Sequence, residues 1–226
     1  VEVIRAAKMA GANAVKLQTY TADTITIESN EPCFQVKGGT LWDGATLYDI
    51  YSEAYTPWEW HSDLKKVTEE MGMAFFSSPF DQSAVDFLES IEVQSYKIAS
   101  SELIDISLLE AVGKTKKPVL VSCGMASLAE IEEALDTLFG AGCDDGVLLK
   151  CTAAYPAQPE EMNLVTLKHM ASTFGVPVGL SDHSMGHLAA VTAVALGACV
   201  IEKHLTLKRS DGGPDSGFSM EPEEFA

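Results

Sequence analysis

Gly179-Leu-Ser-Asp-His-Ser184 and, a little further on, Ile201-Glu-Lys-His204 decide how the chain is read. The apolar run at 176–180 follows a helix-like segment and stops at three polar residues in a row, Ser181, Asp182 and His183. A buried parallel strand that delivers its last side chains into a site has this appearance. An alanine-rich stretch at 188–196 closes on Gly197, and a second apolar run at 198–201 again ends on polar groups, Glu202, Lys203 and His204. Two neighbouring strands thus offer a histidine at the same end, with Ser181 and His183 sharing one face and Glu202 and His204 another. Either histidine alone reads more readily as a satisfied imidazole. The pair at matching strand ends raises the alternative of a metal position with open coordination sites.

Working backwards, the same pattern recurs. Strands are predicted at 14–18, 73–77, 94–98, 118–122 and 146–151, and helices at 1–11, 56–71, 82–91, 107–115, 128–139 and 160–174. Thr56-Pro57-Trp58-Glu59 reads as an N-cap, a proline at the first helical position and an acidic residue at the third, and Ser127 reads as the cap of the helix after it. Seven strands alternating with helices imply a parallel sheet, and eight such units close a (β/α)8 barrel of the TIM type. The chain opens in mid-helix, so the expected fold is a TIM-type α/β barrel lacking its first strand, as one domain over 1–226. An open doubly wound sheet competes, but Gln18-Thr-Tyr-Thr-Ala has no glycine-rich phosphate turn.

The segment 19–55 is too long for an ordinary connection and shows no helical periodicity. Gly38-Gly39 and Asp43-Gly44 mark turns, and 24–28 suggests a short strand. The insertion reads as a lid or specificity loop. Its aromatic residues Trp42, Tyr48, Tyr51 and Tyr55 serve equally well to pack it against the body.

A net charge of -18 repels polyanions, which argues against nucleic acid or an acidic membrane as partner. No apolar run reaches membrane-spanning length and 1–8 has no signal-peptide pattern, and the five cysteines (Cys33, Cys123, Cys143, Cys151, Cys199) sit mostly in apolar surroundings. Reduced thiols in a cytoplasm are the expectation.

The predicted strand ends carry Lys16 and Gln18, Ser77 and Ser78, Lys97, Ser100 and Glu102, Ser122, Tyr155, Ser181 and His183, and His204. A lysine inside an apolar strand needs an anion or a carboxylate partner. Two lysines and several hydroxyls around one mouth form an oxyanion-binding wall, with the two-histidine position beside it. That combination suits joining or cleaving a phosphorylated small molecule at a carbonyl. Ser78 or Ser122 taken alone reads equally as a helix cap.

Taken together, Ala14-Val-Lys-Leu-Gln-Thr, Phe76-Ser-Ser-Pro-Phe-Asp, Tyr96-Lys-Ile-Ala-Ser-Ser-Glu, Ser122-Cys-Gly-Met, Cys151-Thr-Ala-Ala-Tyr-Pro, Gly179-Leu-Ser-Asp-His, Ile201-Glu-Lys-His and Gly213-Pro-Asp-Ser resemble the sialic acid synthase family, in that family's order and over nearly the whole chain. Leu41-Trp-Asp-Gly-Ala-Thr-Leu-Tyr-Asp and Tyr55-Thr-Pro-Trp-Glu-Trp-His61 look most like its pseudaminic acid synthase branch. The resemblance implies a transferase of nonulosonic acid biosynthesis that joins phosphoenolpyruvate to the open aldehyde of an acetamido sugar, here 2,4-diacetamido-2,4,6-trideoxy-altrose, and releases phosphate. It implies that Lys16, Ser78, Lys97, Ser100, Ser122 and Ser181 hold phosphoenolpyruvate, and that His183 and His204 hold Mn2+ or Mg2+. Gln18, Glu102, Tyr155 and Asp215 would face the sugar, and Lys16, Lys97, Glu102, His183 and His204 form the expected catalytic set.

Three departures accompany the resemblance. The family's first strand, with its Ala-Glu and Asn-His-x-Gly signatures, and its C-terminal antifreeze-like domain, on which the full-length homodimer relies, are not in this sequence. Ala153 stands where relatives have Asn or Ser. Weak binding and poor turnover by these residues alone are the expectation. The alternatives are an N-acetylneuraminate or legionaminate synthase, a non-catalytic anion-binding barrel, and a metal-dependent hydrolase.

Overall fold

The computed structural model describes residues 1–37 and 43–226. The turn expected at Gly38-Gly39, and Leu41 and Trp42, lie outside the described residues. Helix α1 (Glu2–Met9) leads into strand β1 (Ala14–Thr19), followed by helices α2 (Ala22–Ile25), α3 (Leu47–Ala54) and α4 (His61–Glu70). Strand and helix then alternate as β2 (Ala74–Pro79), α5 (Gln82–Ser90), β3 (Tyr96–Ile98), α6 (Ile106–Lys114), β4 (Val119–Ser122), α7 (Leu128–Ala141), β5 (Gly146–Cys151), α8 (Thr166–Phe174), β6 (Val178–Asp182), α9 (Leu188–Ala195) and β7 (Ile201–Lys203). A short α10 (Pro222–Phe225) comes last.

The seven strands are parallel and pair in chain order. Laid flat, such a sheet would hold its edge strands about 29 Å apart at the usual spacing. Yet Lys16 on β1 and Glu202 on β7, the two edges, meet at 3.2 Å. The sheet is therefore curled, with these side chains pointing into its concave interior. Residues of opposite parity, among them Phe75, Ile98, Val121, Leu148 and Leu180, form the core between the sheet and the surrounding helices. β1 and β7 do not pair with each other among the described residues, and a cleft bounded by Ile4, Val15, Val191 and Val200 runs between them. No described helix is long and apolar enough to cross a membrane.

Local chemistry fixes most element ends. Asp81 caps α5 by accepting from the amides of Ser83 and Ala84, and Ser127 exchanges hydrogen bonds with Glu130 at the start of α7. A buried relay ties α4 to the sheet: Thr19 Oγ1 lies 2.9 Å from His61 Nε2 and 2.7 Å from Ser77 Oγ, while His61 Nδ1 faces the Pro57 carbonyl at 3.2 Å. Burial pushes the His61 pKa down, which suits a neutral ring that donates at one nitrogen and accepts at the other.

Four sequence expectations are corrected. The strand at 24–28 is absent, because Thr21 and Thr24 close a capping box that turns the chain into α2. The insertion contains α3, started by a box between Thr46 and Asp49 that weak apolar periodicity hid. Pro57 is not inside a continuous helix from 56 to 71: it precedes a 3-10 turn at Trp58–Trp60, and α4 begins only at His61. The helix expected from 160 is a 3-10 turn at Pro159–Glu161 followed by α8, with Asn163 at φ +44° breaking the two apart.

α6 and α7 approach closely at Gly113, where an added Cβ would lie 2.7 Å from Ala141 Cβ and 2.7 Å from the Leu138 carbonyl oxygen. Alanine in a helix interior ordinarily gains about 1 kcal/mol over glycine. Here Gly113→Ala is expected to lower stability instead, by about 1–3 kcal/mol as overpacking does. Differential scanning calorimetry checks this, and an unchanged or raised midpoint would mean that the two helices have room to part.

Candidate active site

The centre of the curled sheet is a charge cluster. Glu202 Oε1 lies 3.2 Å from Lys16 Nζ and 3.9 Å from Lys97 Nζ, and it accepts a 2.9 Å hydrogen bond from Ser181 Oγ. Strand register brings this about: Ser181 pairs with Glu202 across β6 and β7, while β1 returns from the far edge. Burial pushes the Glu202 carboxyl up, but Lys16, Lys97 and the Ser181 hydroxyl outweigh it and hold the group at about 2. Lys97 is 2% exposed and donates to the Ile98 carbonyl at 3.0 Å. Burial pushes it down to about 8, against the opposing pull of Glu202, and Lys16 adds to the depression.

Three buried polar atoms have no hydrogen-bond partner within the described protein: Ser78 Oγ, Ser122 Oγ and Glu202 Oε2. Such atoms cost about 1–3 kcal/mol each if left unmet. Because Asp81 and Ser127 cap the following helices, neither Ser78 nor Ser122 is a cap. Of the two, Ser122 lines the cavity described below and Ser78 lies behind its lining. Ser100 Oγ instead accepts from the Gly124 amide at 3.0 Å, and a Cβ at Gly124 would be tightly confined, 3.0 Å from that oxygen and 3.2 Å from Cys151 Sγ.

Just past β6 and β7, the rings of His183 and His204 stand 5.4 Å apart. His183 Nδ1 lies 3.0 Å from the Thr152 carbonyl, which can only accept, so Nδ1 is the donor and Nε2 is the nitrogen that a neutral ring would offer to an ion. His204 Nδ1 is 3.4 Å from Asp215 Oδ2. Burial pushes Asp215 up, yet the His204 contact and the charges of His204, His183 and Lys16 bring it below the usual carboxylate range. No group of three or more His, Cys, Asp and Glu suited to an ion occurs among the described residues. The donors that fit a divalent ion are the two imidazoles, and that set would leave further positions to water or substrate.

Gln18, Ser100, Ser122, Tyr155, Ser181 and Asp215 line one cavity of about 2260 Å³ with the lysines and histidines. Its size exceeds that of a single small-ligand pocket because it merges with the cleft between β1 and β7. Ala153 also lines it. Glu102 does not: its carboxylate takes a 2.8 Å hydrogen bond from Ser101 Oγ, and burial raises its pKa. The Tyr155 ring packs on His183 at 4.3 Å and on Phe218 at 5.3 Å, and burial pushes its hydroxyl up to about 12.

The insertion covers the mouth from one side. Tyr51 lines the cavity and meets the Tyr20 ring at 5.5 Å; Tyr20 also packs on Phe80 at 5.4 Å, and its carbonyl accepts from Trp58 Nε1 at 3.1 Å. Tyr48 donates to Asp23 at 2.9 Å. Of the expected aromatic contributors, Tyr51 thus faces the cavity while Tyr48 serves the packing of the loop. Glu202 is the residue that strand-end reasoning passed over. The signal was present, since it shares a face with His204 and two inward lysines require a counter-charge.

The family model for the NeuB family matches residues 3–226. The chain is 43% identical over 224 residues to the pseudaminic acid synthase of Helicobacter pylori, covering 99% of this chain and 66% of that protein. It is 46% identical over 222 residues to the pseudaminic acid synthase of Campylobacter jejuni serotype O:23/36, covering 98% and 64%. It therefore spans slightly less than two thirds of these relatives. Among solved structures, an N-acetylneuraminic acid (sialic acid) synthetase from Leptospira borgpetersenii superposes with a TM-score of 0.88 at 32% identity, over 99% of this chain and 73% of that one.

Anion affinity should follow the charge on Lys97. Sulfate, whose charge is constant above about pH 3, is expected to bind more weakly as pH rises through about 8, because Lys97 loses its proton there. Isothermal titration calorimetry between pH 7 and 9 measures this. In Lys97→Met binding should be weaker throughout and the step absent; a step that persists would assign it to another group.

Proposed function

The chain belongs to the NeuB family, and from that premise we propose that it condenses phosphoenolpyruvate with an acetamido sugar aldehyde to give a nonulosonic acid and inorganic phosphate. The acceptor we propose is 2,4-diacetamido-2,4,6-trideoxy-altrose and the product pseudaminic acid, in keeping with the names of the relatives above. The observation that carries the reading is the buried meeting of Lys16, Lys97, Ser181 and Glu202, with the bare hydroxyls of Ser78 and Ser122 in the same interior.

Phosphoenolpyruvate carries a phosphate and a carboxylate on three carbons. Lys16 and Lys97 would supply charge to them, and Ser78, Ser100, Ser122 and Ser181 direction, holding C3 of the enol towards the histidines. A divalent ion, Mn2+ or Mg2+, held by His183 and His204 would supply Lewis-acid polarisation of the sugar's aldehyde oxygen. As C3 bonds to the aldehyde carbon, positive charge grows at C2; Glu202, kept ionised, would offset that charge. Water then adds at C2, and the C–O bond to phosphorus-bearing oxygen breaks, so that phosphate leaves with that oxygen. Gln18, Tyr155 and Asp215 would face the sugar from the cavity lining, to which Glu102 does not belong.

We also propose that a further parallel strand completes the barrel between β1 and β7, where the cleft has room and both edges have unpaired backbone groups. A legionaminate- or N-acetylneuraminate-type acceptor is the second reading, favoured only if the cover around Tyr51 admits that stereochemistry.

Phosphate release, coupled to a colorimetric reporter, is to be followed with phosphoenolpyruvate and a panel of acetamido sugars. The altrose-derived sugar should give the highest kcat/KM. His183→Ala and His204→Ala should each lower it by roughly 100-fold or more, about 3 kcal/mol of transition-state stabilisation. Parent-like rates in both variants would remove the metal position, and preference for N-acetylmannosamine would reassign the acceptor.

A further inference from the structure

On the face of β6 and β7 opposite the imidazoles lies a second buried ion pair that the chemistry above does not use. Lys203 Nζ is 2.8 Å from Asp182 Oδ2, with the two side chains 3% and 0% exposed. Asp182 Oδ1 accepts from the Ser184 amide at 2.8 Å and from Ser184 Oγ at 2.7 Å, and Lys203 donates to the Ser184 carbonyl at 2.5 Å. Asp182 and Lys203 stand directly opposite each other, as the last of three paired positions joining the two strands. Each immediately precedes a histidine. The imidazoles therefore project from just beyond the last rung that joins the two strands to each other; past it each strand pairs elsewhere, the His183 carbonyl accepting from the Ala157 amide at 3.0 Å and the His204 carbonyl from the Met220 amide at 2.9 Å.

We propose that Asp182 and Lys203 are positioning residues, a clamp on the outer face that sets the separation of His183 and His204 on the inner face. A buried ion pair contributes little net stability compared with apolar side chains of similar volume, and its best-attested use is to fix register. This one joins the two strands at their final rung and draws in the Ser184 turn that follows His183. Holding both strand ends at one spacing keeps two imidazoles within reach of a common ion, as outer-shell groups do for metal ligands elsewhere. The metal aspect rests on the proposed function; the geometric one does not.

The test uses Asp182→Asn/Lys203→Met in the full chain, which removes both charges, nearly conserves volume and leaves the Ser184 amide and hydroxyl an acceptor. Its thermal midpoint should stay close to that of the parent, and each single variant should fall well below it because one buried charge is left unpaired. In a crystal structure of the metal-free double variant, the two rings should depart from their 5.4 Å separation. Mn2+ affinity, read by electron paramagnetic resonance, should weaken by about 10- to 100-fold. Rings that keep their spacing in a folded double variant overturn the clamp. If the rings separate but Mn2+ affinity stays within twofold, the clamp does not serve metal binding and the proposal is likewise overturned. A parent chain that binds no Mn2+ counts against the metal reading instead, and the ring spacing alone then decides the clamp. Should the double variant not fold, Ser184→Ala takes its place: it frees one of the bonds to Asp182 Oδ1, and no change in ring spacing overturns the proposal.

Discussion

Two ammonium groups crowd one largely buried interior only at high cost without an anion between them, and Glu202 is that anion. It sits on the last strand and offsets one of the two charges brought by lysines from the first and third, so the charge balance of the interior depends on the sheet having curled. The dependence runs both ways. A sheet that opened would leave Lys97, which is almost fully buried, without its counter-charge. Electrostatics and topology are thus one constraint seen from two sides.

From that constraint the rest of the chamber follows. Because the strands are parallel and pair in order, their carboxyl ends gather at one rim, and each contributes one or two side chains to it. The even spacing of inward positions then separates a lysine-and-hydroxyl region from an imidazole region without any loop having to place them. Gly179 shows how tightly this is built: a Cβ there would come within 2.5 Å of the Val200 carbonyl oxygen and 2.6 Å of Leu149, so β6 and β7 leave no space for a side chain below Ser181.

Much of this was legible in the sequence, for identifiable reasons. Parallel strands buried on both faces appear as short apolar runs, so a polar residue among them, such as Lys16 or Lys97, stands out against its neighbours. Helix caps such as Ser127 are local and were read correctly. What escaped was non-local or weakly patterned. Nothing near Glu202 in the chain announces that its partners lie on β1 and β3. Asp182 stands between Ser181 and His183 at the strand end, and strand alternation turns it to the outer face, but its partner Lys203 lies on another strand. In the insertion, the capping boxes at Thr21 and Thr46 define short helices that hydrophobic periodicity alone does not reveal. Glu102 follows a strand end in sequence but is drawn away by Ser101 within a 3-10 turn.

The cover over the mouth is fastened differently from the interior beneath it. Tyr51, Tyr20, Phe80 and Trp58 hold it through ring packing and one indole hydrogen bond, and none of these contacts passes through the lysines or Glu202. Apolar ring packing tolerates exchange of shape far better than a buried charge triad does. The molecule is in this sense modular: descendants could remodel the roof to welcome a new guest while inheriting the charged floor unaltered.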